Sequence, residues 1–375
     1  MGSCFENVKK NFGFGCMRLP MAGEEVDLEE TCRMVDAFLE AGFHYFDTAH
    51  GYLGGKSEIA LRHCLTSRYP RERYILTNKL STHFIQKQED IRPLFQQQLE
   101  ACGVEYFDFY LMHAQDRTIF EKYKKIRAYE TSLQLLAEGK IRHFGISFHD
   151  TAAVLEQILT EYPQIEVVQL QLNYVDFEDP SVQSRKCLEV CRKFGKSAIV
   201  MEPVKGGSLV KLPEQAQKIF DDLKGGSNAS YAIRFAAGQE GVAMVLSGMS
   251  DTAMVRENCG YVKDFRPLNE AECRAVEQVC DIFRSLGAIP CTGCRYCTEV
   301  CPQGIAIPNI FSLLNAKRIW NSWNTNYYYD IISSGQGTRA SDCLICGKCE
   351  DICPQHLKIR GLLEEAVGEF EAKKG

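Results

Sequence analysis

Asn11-Phe12-Gly13-Phe14-Gly15-Cys16 is the first of eight short β-rich runs, and the way these runs alternate with helical windows decides the fold. The other runs lie at residues 44–48, 74–78, 107–113, 143–147, 167–173, 198–202 and 243–248. Amphipathic windows of helical spacing fall between them, at 27–41, 56–67, 88–102, 129–138, 151–160, 181–194, 228–237 and 251–261. Asp27, ahead of Leu28 and Glu30, fits a helix N-cap, and Gly42 fits the stop after Ala41. Strands alternating with helices build either an open doubly wound sheet or a closed barrel. An open dinucleotide-binding sheet carries G-x-G-x-x-G after its first strand. Neither the glycines at 13 and 15 nor any other stretch supplies it. Eight βα units over about 250 residues instead match an α/β (β/α)8 TIM barrel.

A helix expected over 269–286 leads out of the barrel into a second, smaller region, giving domains at 1–285 and 286–375. The smaller region is expected to be mainly α-helical, because Ile310, Leu313, Leu314 and Trp320 recur at helical spacing. Its Tyr327-Tyr328-Tyr329 stretch is expected to pack inside it or against the barrel.

Composition narrows the function. The 375 residues carry a net charge of −6, which argues against a nucleic-acid binder. No apolar run approaches the roughly 20 residues that span a bilayer, and residues 1–10 hold no apolar signal core, so the chain reads as cytoplasmic. Ten of the 18 cysteines are scattered without a framework, as suits a reducing compartment. Of these, Cys187 and Cys191 lie one helical turn apart and read as a packed helix face.

The remaining eight cysteines form two matching ladders. Cys291, Cys294, Cys297 and Cys301 follow C-x2-C-x2-C-x3-C and end on Pro302; Cys343, Cys346, Cys349 and Cys353 repeat the pattern and end on Pro354. Zinc ribbons rarely use three evenly spaced cysteines and a fourth followed by proline. The runs resemble those of bacterial-type [4Fe–4S] proteins, in which the fourth cysteine serves the other cluster. That resemblance implies two [4Fe–4S] clusters, one on Cys291, Cys294, Cys297 and Cys353, the other on Cys343, Cys346, Cys349 and Cys301.

Catalytic groups of such a barrel come from the C-terminal ends of strands. Asp47, Lys79 and His113 close the second, third and fourth runs, and Tyr52 follows Asp47 by five. A tyrosine titrates near pH ~10, and a neighbouring ammonium favours its phenolate. An aspartate holds the lysine charged, and a neutral imidazole can orient a carbonyl oxygen. Asp47, Tyr52, Lys79 and His113 resemble the catalytic tetrad of the aldo-keto reductases.

That resemblance implies an enzyme: an NAD(P)H-dependent oxidoreductase reducing a small carbonyl compound, or oxidising an alcohol, with Tyr52 as general acid or base. It also implies a cofactor site. Ser147, in Gly145-Ile146-Ser147, and Gln169 resemble the residues that hold the nicotinamide carboxamide. Glu202-Pro203-Val204-Lys205-Gly206-Gly207 resembles the loop over the pyrophosphate. Gly248-Met249-Ser250 with Arg256, Glu257 and Asn258 is similar to the adenosine segment. Two departures stand out. Phe148 replaces the usual asparagine after Ser147, and Met254 stands where NADPH-dependent members carry an arginine. The lean is toward NADH, with Arg256 near enough to substitute for the missing arginine.

The whole layout resembles the ferredoxin-fused bacterial members of that family. Hydride transfer moves two electrons and a cluster one, so a flavin at the phosphate loops is an alternative cofactor. A ferredoxin- or flavodoxin-like carrier is the expected external partner. Two other readings stay open: an electron-transfer module linking nicotinamide to a partner, and a reductase whose clusters merely staple a small domain.

Overall fold

Strand β1 (Phe12–Gly15) pairs in parallel with both β2 (Tyr45–Asp47) and β8 (Val242–Gly248), which closes the sheet into a barrel. Between them β3 (Ile75–Leu80), β4 (Phe107–Gln115), β5 (Ile141–Phe148), β6 (Val167–Gln171) and β7 (Ser197–Met201) follow in sequence order. This computed structural model describes residues 5, 11–179, 182–223, 225–320, 325–336 and 338–371.

The strands are largely buried on both faces, as parallel strands under helices are. Tyr45, Phe109, Leu111, Val167, Ile199, Met244 and Leu246 fill the interior. Gly145 is needed where β5 meets β6, since a Cβ there would lie 2.4 Å from a methyl of Val167 and 2.6 Å from its carbonyl oxygen. The first helix, Leu28–Glu40, starts as expected: the Asp27 carboxylate accepts from the Glu30 N–H at 2.9 Å. Gly42 follows at φ +86°.

Three departures have physical reasons. The stretch at 114–122, which lies outside the helical windows named above, holds the end of β4 and the start of the helix Arg117–Lys125. Asp116 caps that helix by accepting from the Ile119 N–H at 2.7 Å, and only Phe120 and Tyr123 are buried in it. Its lysines masked so narrow an apolar stripe. The helix Glu214–Asp221 escaped notice likewise, burying only Ala216 and Phe220. The window from 181 becomes a helix at Ser184–Lys193; Ser181 lies outside the described residues, as do residues 1–10 apart from Phe5. Cys187 and Cys191 are buried on that helix, as expected.

The chain divides into two compact units, Met1–Pro203 with Ala232–Leu268, and Val204–Tyr231 with Asn269–Gly375. The second unit is helical, and its C-terminal part, 286–375, is the region expected to be so. Its longer helices are Glu270–Ser285, Ile307–Trp320, Thr325–Gln336 and Ile359–Phe370. Ile307, Ile310, Phe311, Leu314, Leu363 and Phe370 build its core around Cys297, Cys349 and Cys353. Tyr329 is fully buried there, its ring stacked 4.8 Å from that of Phe370. The side chains of Trp320, Tyr327 and Tyr328 lie outside the described residues.

Candidate active site and cysteine cavity

Four polar side chains meet at the C-terminal ends of β2, β3 and β4. Lys79 Nζ donates to Asp47 Oδ1 at 2.5 Å, to the Thr48 carbonyl at 2.8 Å and to the Tyr52 hydroxyl at 3.3 Å. The Tyr52 and His113 rings stand 5.9 Å apart at 73°. Tyr52 is delivered by a tight turn in which Leu53, Gly54 and Gly55 all adopt positive φ. The structure thus brings together all four residues singled out from the strand ends.

Burial sets the charges here. Lys79 is 1% exposed and Asp47 3%. Burial pushes the Asp47 carboxyl up and the Lys79 ammonium down, while each pulls its partner back toward the charged form. Burial, and then the nearby charge of Lys79, holds His113 well below the usual imidazole range, so the ring is neutral at neutral pH. Ser81 Oγ lies 2.6 Å from His113 Nδ1 and fixes the ring. Sequence reasoning missed Ser81, although its place two residues beyond Lys79 at the end of β3 was a usable signal.

Ser147 and Gln169 face each other across β5 and β6. Ser147 Oγ accepts from the Ala114 N–H at 2.8 Å. Gln169 donates to Asp47 Oδ2 at 3.3 Å, while its own carbonyl oxygen is buried with no partner among the described residues. A buried amide oxygen without a donor is costly. It is the feature expected of a residue that awaits an amide N–H, as a nicotinamide carboxamide would supply, so these residues fit the cofactor. Phe148 is buried at the end of β5.

The segment after β8 is more mixed. Gly248 and Ser250 are exposed and Met249 is fully buried. Arg256 and Glu257 are exposed, with Glu257 accepting from the Tyr261 hydroxyl at 2.5 Å. Asn258 is buried and donates to Ser247 Oγ at 3.2 Å. After β7, Glu202 and Lys205 hold positive φ (+57° and +48°), as do Gly206 and Gly207. Pro203 and Lys205 are buried; Val204 is partly exposed.

In the second unit the ladders cross. Cys301, Cys343, Cys346 and Cys349 line one pocket together with Ile305, Ile307 and Leu363. Burial raises the Cys297 thiol, and the charges that add to this are those of Cys294, Cys291 and Cys353. Each fourth cysteine thus keeps company with the other run. Among the described residues no three His, Cys, Asp or Glu side chains group as ligands of a single metal ion. Thiols spread around a cavity fit a multinuclear cluster, in which each sulfur binds a different iron.

Fold and site define an oxidoreductase built on a parallel barrel. The sequence model of the Aldo/keto reductase family matches residues 11–281, and the chain belongs to that family. A 4Fe-4S dicluster domain matches residues 290–357. The NADH-specific methylglyoxal reductase of Escherichia coli (strain K12) is 28% identical over 196 residues, 47% of this chain and 57% of that protein. The chain thus spans little more than half the length of this relative. The uncharacterized oxidoreductase YqkF of Bacillus subtilis is 24% identical over 298 residues, 71% of this chain and 90% of its own. Among solved structures, the holo form of aldo-keto reductase AKR11C1 from Bacillus halodurans gives a TM-score of 0.58 at 25% identity, covering 72% of this chain and 91% of that one. An aldo-keto reductase from Klebsiella pneumoniae in complex with NADPH gives 0.56 at 18% identity, covering 72% of this chain and 90% of that one, and shares the fold. Among the described residues no helix is long and apolar enough to cross a membrane.

Proposed function

We propose that the barrel reduces a small carbonyl compound, or oxidises the matching alcohol, with Tyr52 as the proton donor or acceptor. The observation that carries this is Lys79, buried and shared between Asp47 and the Tyr52 hydroxyl at 3.3 Å. A bound nicotinamide would supply the hydride; Ser147 and the unpartnered oxygen of Gln169 would hold its carboxamide. Tyr52 gives its proton to the carbonyl oxygen, and the Lys79 ammonium stabilises the negative charge left on the phenol. Asp47 keeps Lys79 charged and aimed. Neutral His113, held by Ser81, orients the carbonyl by a hydrogen bond and stabilises charge growing on its oxygen.

The loop 202–206 would cover the pyrophosphate, and the 248–258 segment the adenosine. The lean is toward NADH, since Met254 offers no cationic fork for a 2′-phosphate. The NADH specificity of the E. coli relative accords with that. The paired ladders would carry single electrons to or from a ferredoxin- or flavodoxin-like protein. The test is NAD(P)H oxidation by the anaerobic full chain across a panel of aldehydes and ketones. Tyr52→Phe should lower it at least about a hundredfold; full activity in that variant sinks the reading.

The dicluster match also favours a second reading, in which the barrel only feeds electrons from nicotinamide or flavin to a partner. Reduction of an electron carrier that survives Tyr52→Phe, in a protein that carries flavin, would select it.

A further inference from the structure

Residues 204–207 of the loop after β7 lie in the same unit as the first cysteine run. Within it Gly206 rests directly on the backbone of Thr292. A methyl group placed on Gly206 would stand 2.3 Å from the Thr292 carbonyl oxygen and 2.9 Å from its carbonyl carbon. Thr292 sits between Cys291 and Cys294 and is 5% exposed. Its counterpart in the second run, Leu344, is 59% exposed. The two runs share a spacing, but Thr292 in the first is covered where Leu344 in the second is exposed.

That loop needs support. Glu202, Lys205, Gly206 and Gly207 all hold positive φ within six residues. For Glu202 and Lys205 such backbone is strained and persists only where the surroundings impose it. The surface that Gly206 meets belongs to a segment of four residues with a cluster ligand at each end. Metal-bound, such a segment is fixed; empty, its backbone can relax.

We propose that the first cluster site shapes the β7 loop for the dinucleotide, so that filling the site with its cluster tightens nicotinamide dinucleotide binding through the Gly206–Thr292 contact. This rests on the reading of that loop as the pyrophosphate cover. By linkage, bound dinucleotide protects the first cluster to the same degree.

The test is NADH and NADPH binding to the anaerobically isolated full chain, with iron content and far-UV dichroism checked for every variant. Gly206→Ala meets the Thr292 carbonyl, whereas Gly207→Ala, at φ +97° with no neighbour within 4 Å, carries backbone strain without the collision. The Kd should rise at least about fivefold more in Gly206→Ala than in Gly207→Ala. Cys291→Ser, which empties the first site, should weaken binding more than Cys346→Ser, which empties the second. In the unmodified protein, saturating NADH should slow the loss of iron to a chelator from the first site more than from the second, a readout that needs no variant. Equal Kd values in each pair, with equal iron loss from the two sites, overturn the proposal while leaving the loop's role standing. An unmodified protein that binds neither nucleotide overturns both.

Discussion

Ile345 and Gly293 hold the same left-handed backbone, φ +55° and +67°, at matching steps of the two cysteine runs. The likeness continues: Arg295 and Gly347 share positive φ (+70° and +80°), as do Gly304 and His356 (+65° and +50°). The runs are therefore a repeat of conformation as well as of spacing. At each matched position one run has glycine and the other a residue with a side chain, so the backbone path belongs to the repeat rather than to local residue preference.

Ile345 holds that path against its own preference. A β-branched side chain at positive φ costs about 1–2 kcal/mol, and Ile345 recovers little, being 69% exposed. Ile345→Gly should stabilise the second unit by about 1 kcal/mol, after allowing for the extra chain entropy of glycine. Anaerobic denaturant unfolding followed by cluster absorbance measures it. A loss of stability would mean that the isoleucine makes a contact worth more than the strain.

The Asp47–Lys79 pair separates stability from catalysis. Lys79→Met leaves a carboxylate buried without its cation and should destabilise the barrel by about 3–5 kcal/mol. Asp47→Asn combined with Lys79→Met removes both charges and should recover much of that loss. Carbonyl reduction should stay depressed at least about a hundredfold in both proteins, since Tyr52 keeps no ammonium neighbour in either. Activity returning with stability in the double variant would show that Lys79 only holds the fold.

Most of the barrel was legible because parallel strands write themselves as apolar runs broken by helices. The cluster of four was legible because Asp47, Lys79 and His113 lie at the ends of consecutive strands and Tyr52 follows the first of them closely. What escaped was whatever depends on a few contacts. Ser81 offers the sequence only its place just past the end of β3, and its role shows in the 2.6 Å approach to His113. The helix Arg117–Lys125 buries two side chains among charged ones, too few for periodicity to show. The seat of Gly206 on Thr292 joins residues more than eighty positions apart, and no local pattern announces it.

His113 should leave a mark on the pH dependence of stability. Its folded pKa lies below the ordinary value of about 6.5. Above that pH both folded and unfolded chains hold the ring neutral, and His113 adds no slope. As pH falls below it, the unfolded chain takes up a proton that the folded one refuses, and stability drops by up to about 1.4 kcal/mol per pH unit. Subtracting the unfolding free energies of His113→Gln from those of the unmodified protein, between about pH 7 and about pH 5.5, isolates the term. A difference that does not change with pH would show that the ring protonates as easily in the fold as out of it.

Coenzyme choice should turn on Met254. It is 41% exposed on the helix Thr252–Lys263, in the segment proposed to hold the adenosine. Met254→Arg would add a planar fork suited to a phosphate, worth about 1.5–3 kcal/mol for a charge-assisted bond. NADPH affinity should rise about tenfold or more, and NADH affinity little. If the unmodified protein already prefers NADPH, Arg256 or another cation serves the phosphate and the lean toward NADH is wrong.

The crossing of the ladders yields a pairing test. If Cys353 completes the first site, Cys353→Ser and Cys291→Ser should lose the same cluster and leave the same residual spectrum. Cys301→Ser should then match Cys343→Ser, in keeping with its place in the cavity shared with Cys343, Cys346 and Cys349. Were each run to bind its own cluster, the partners would swap, with Cys301→Ser matching Cys291→Ser. Electron paramagnetic resonance of the dithionite-reduced variants, with iron and sulfide counted per chain, tells the two apart. Each single variant retains about half the iron in either case, so the identity of the surviving signal, not the amount, is what decides.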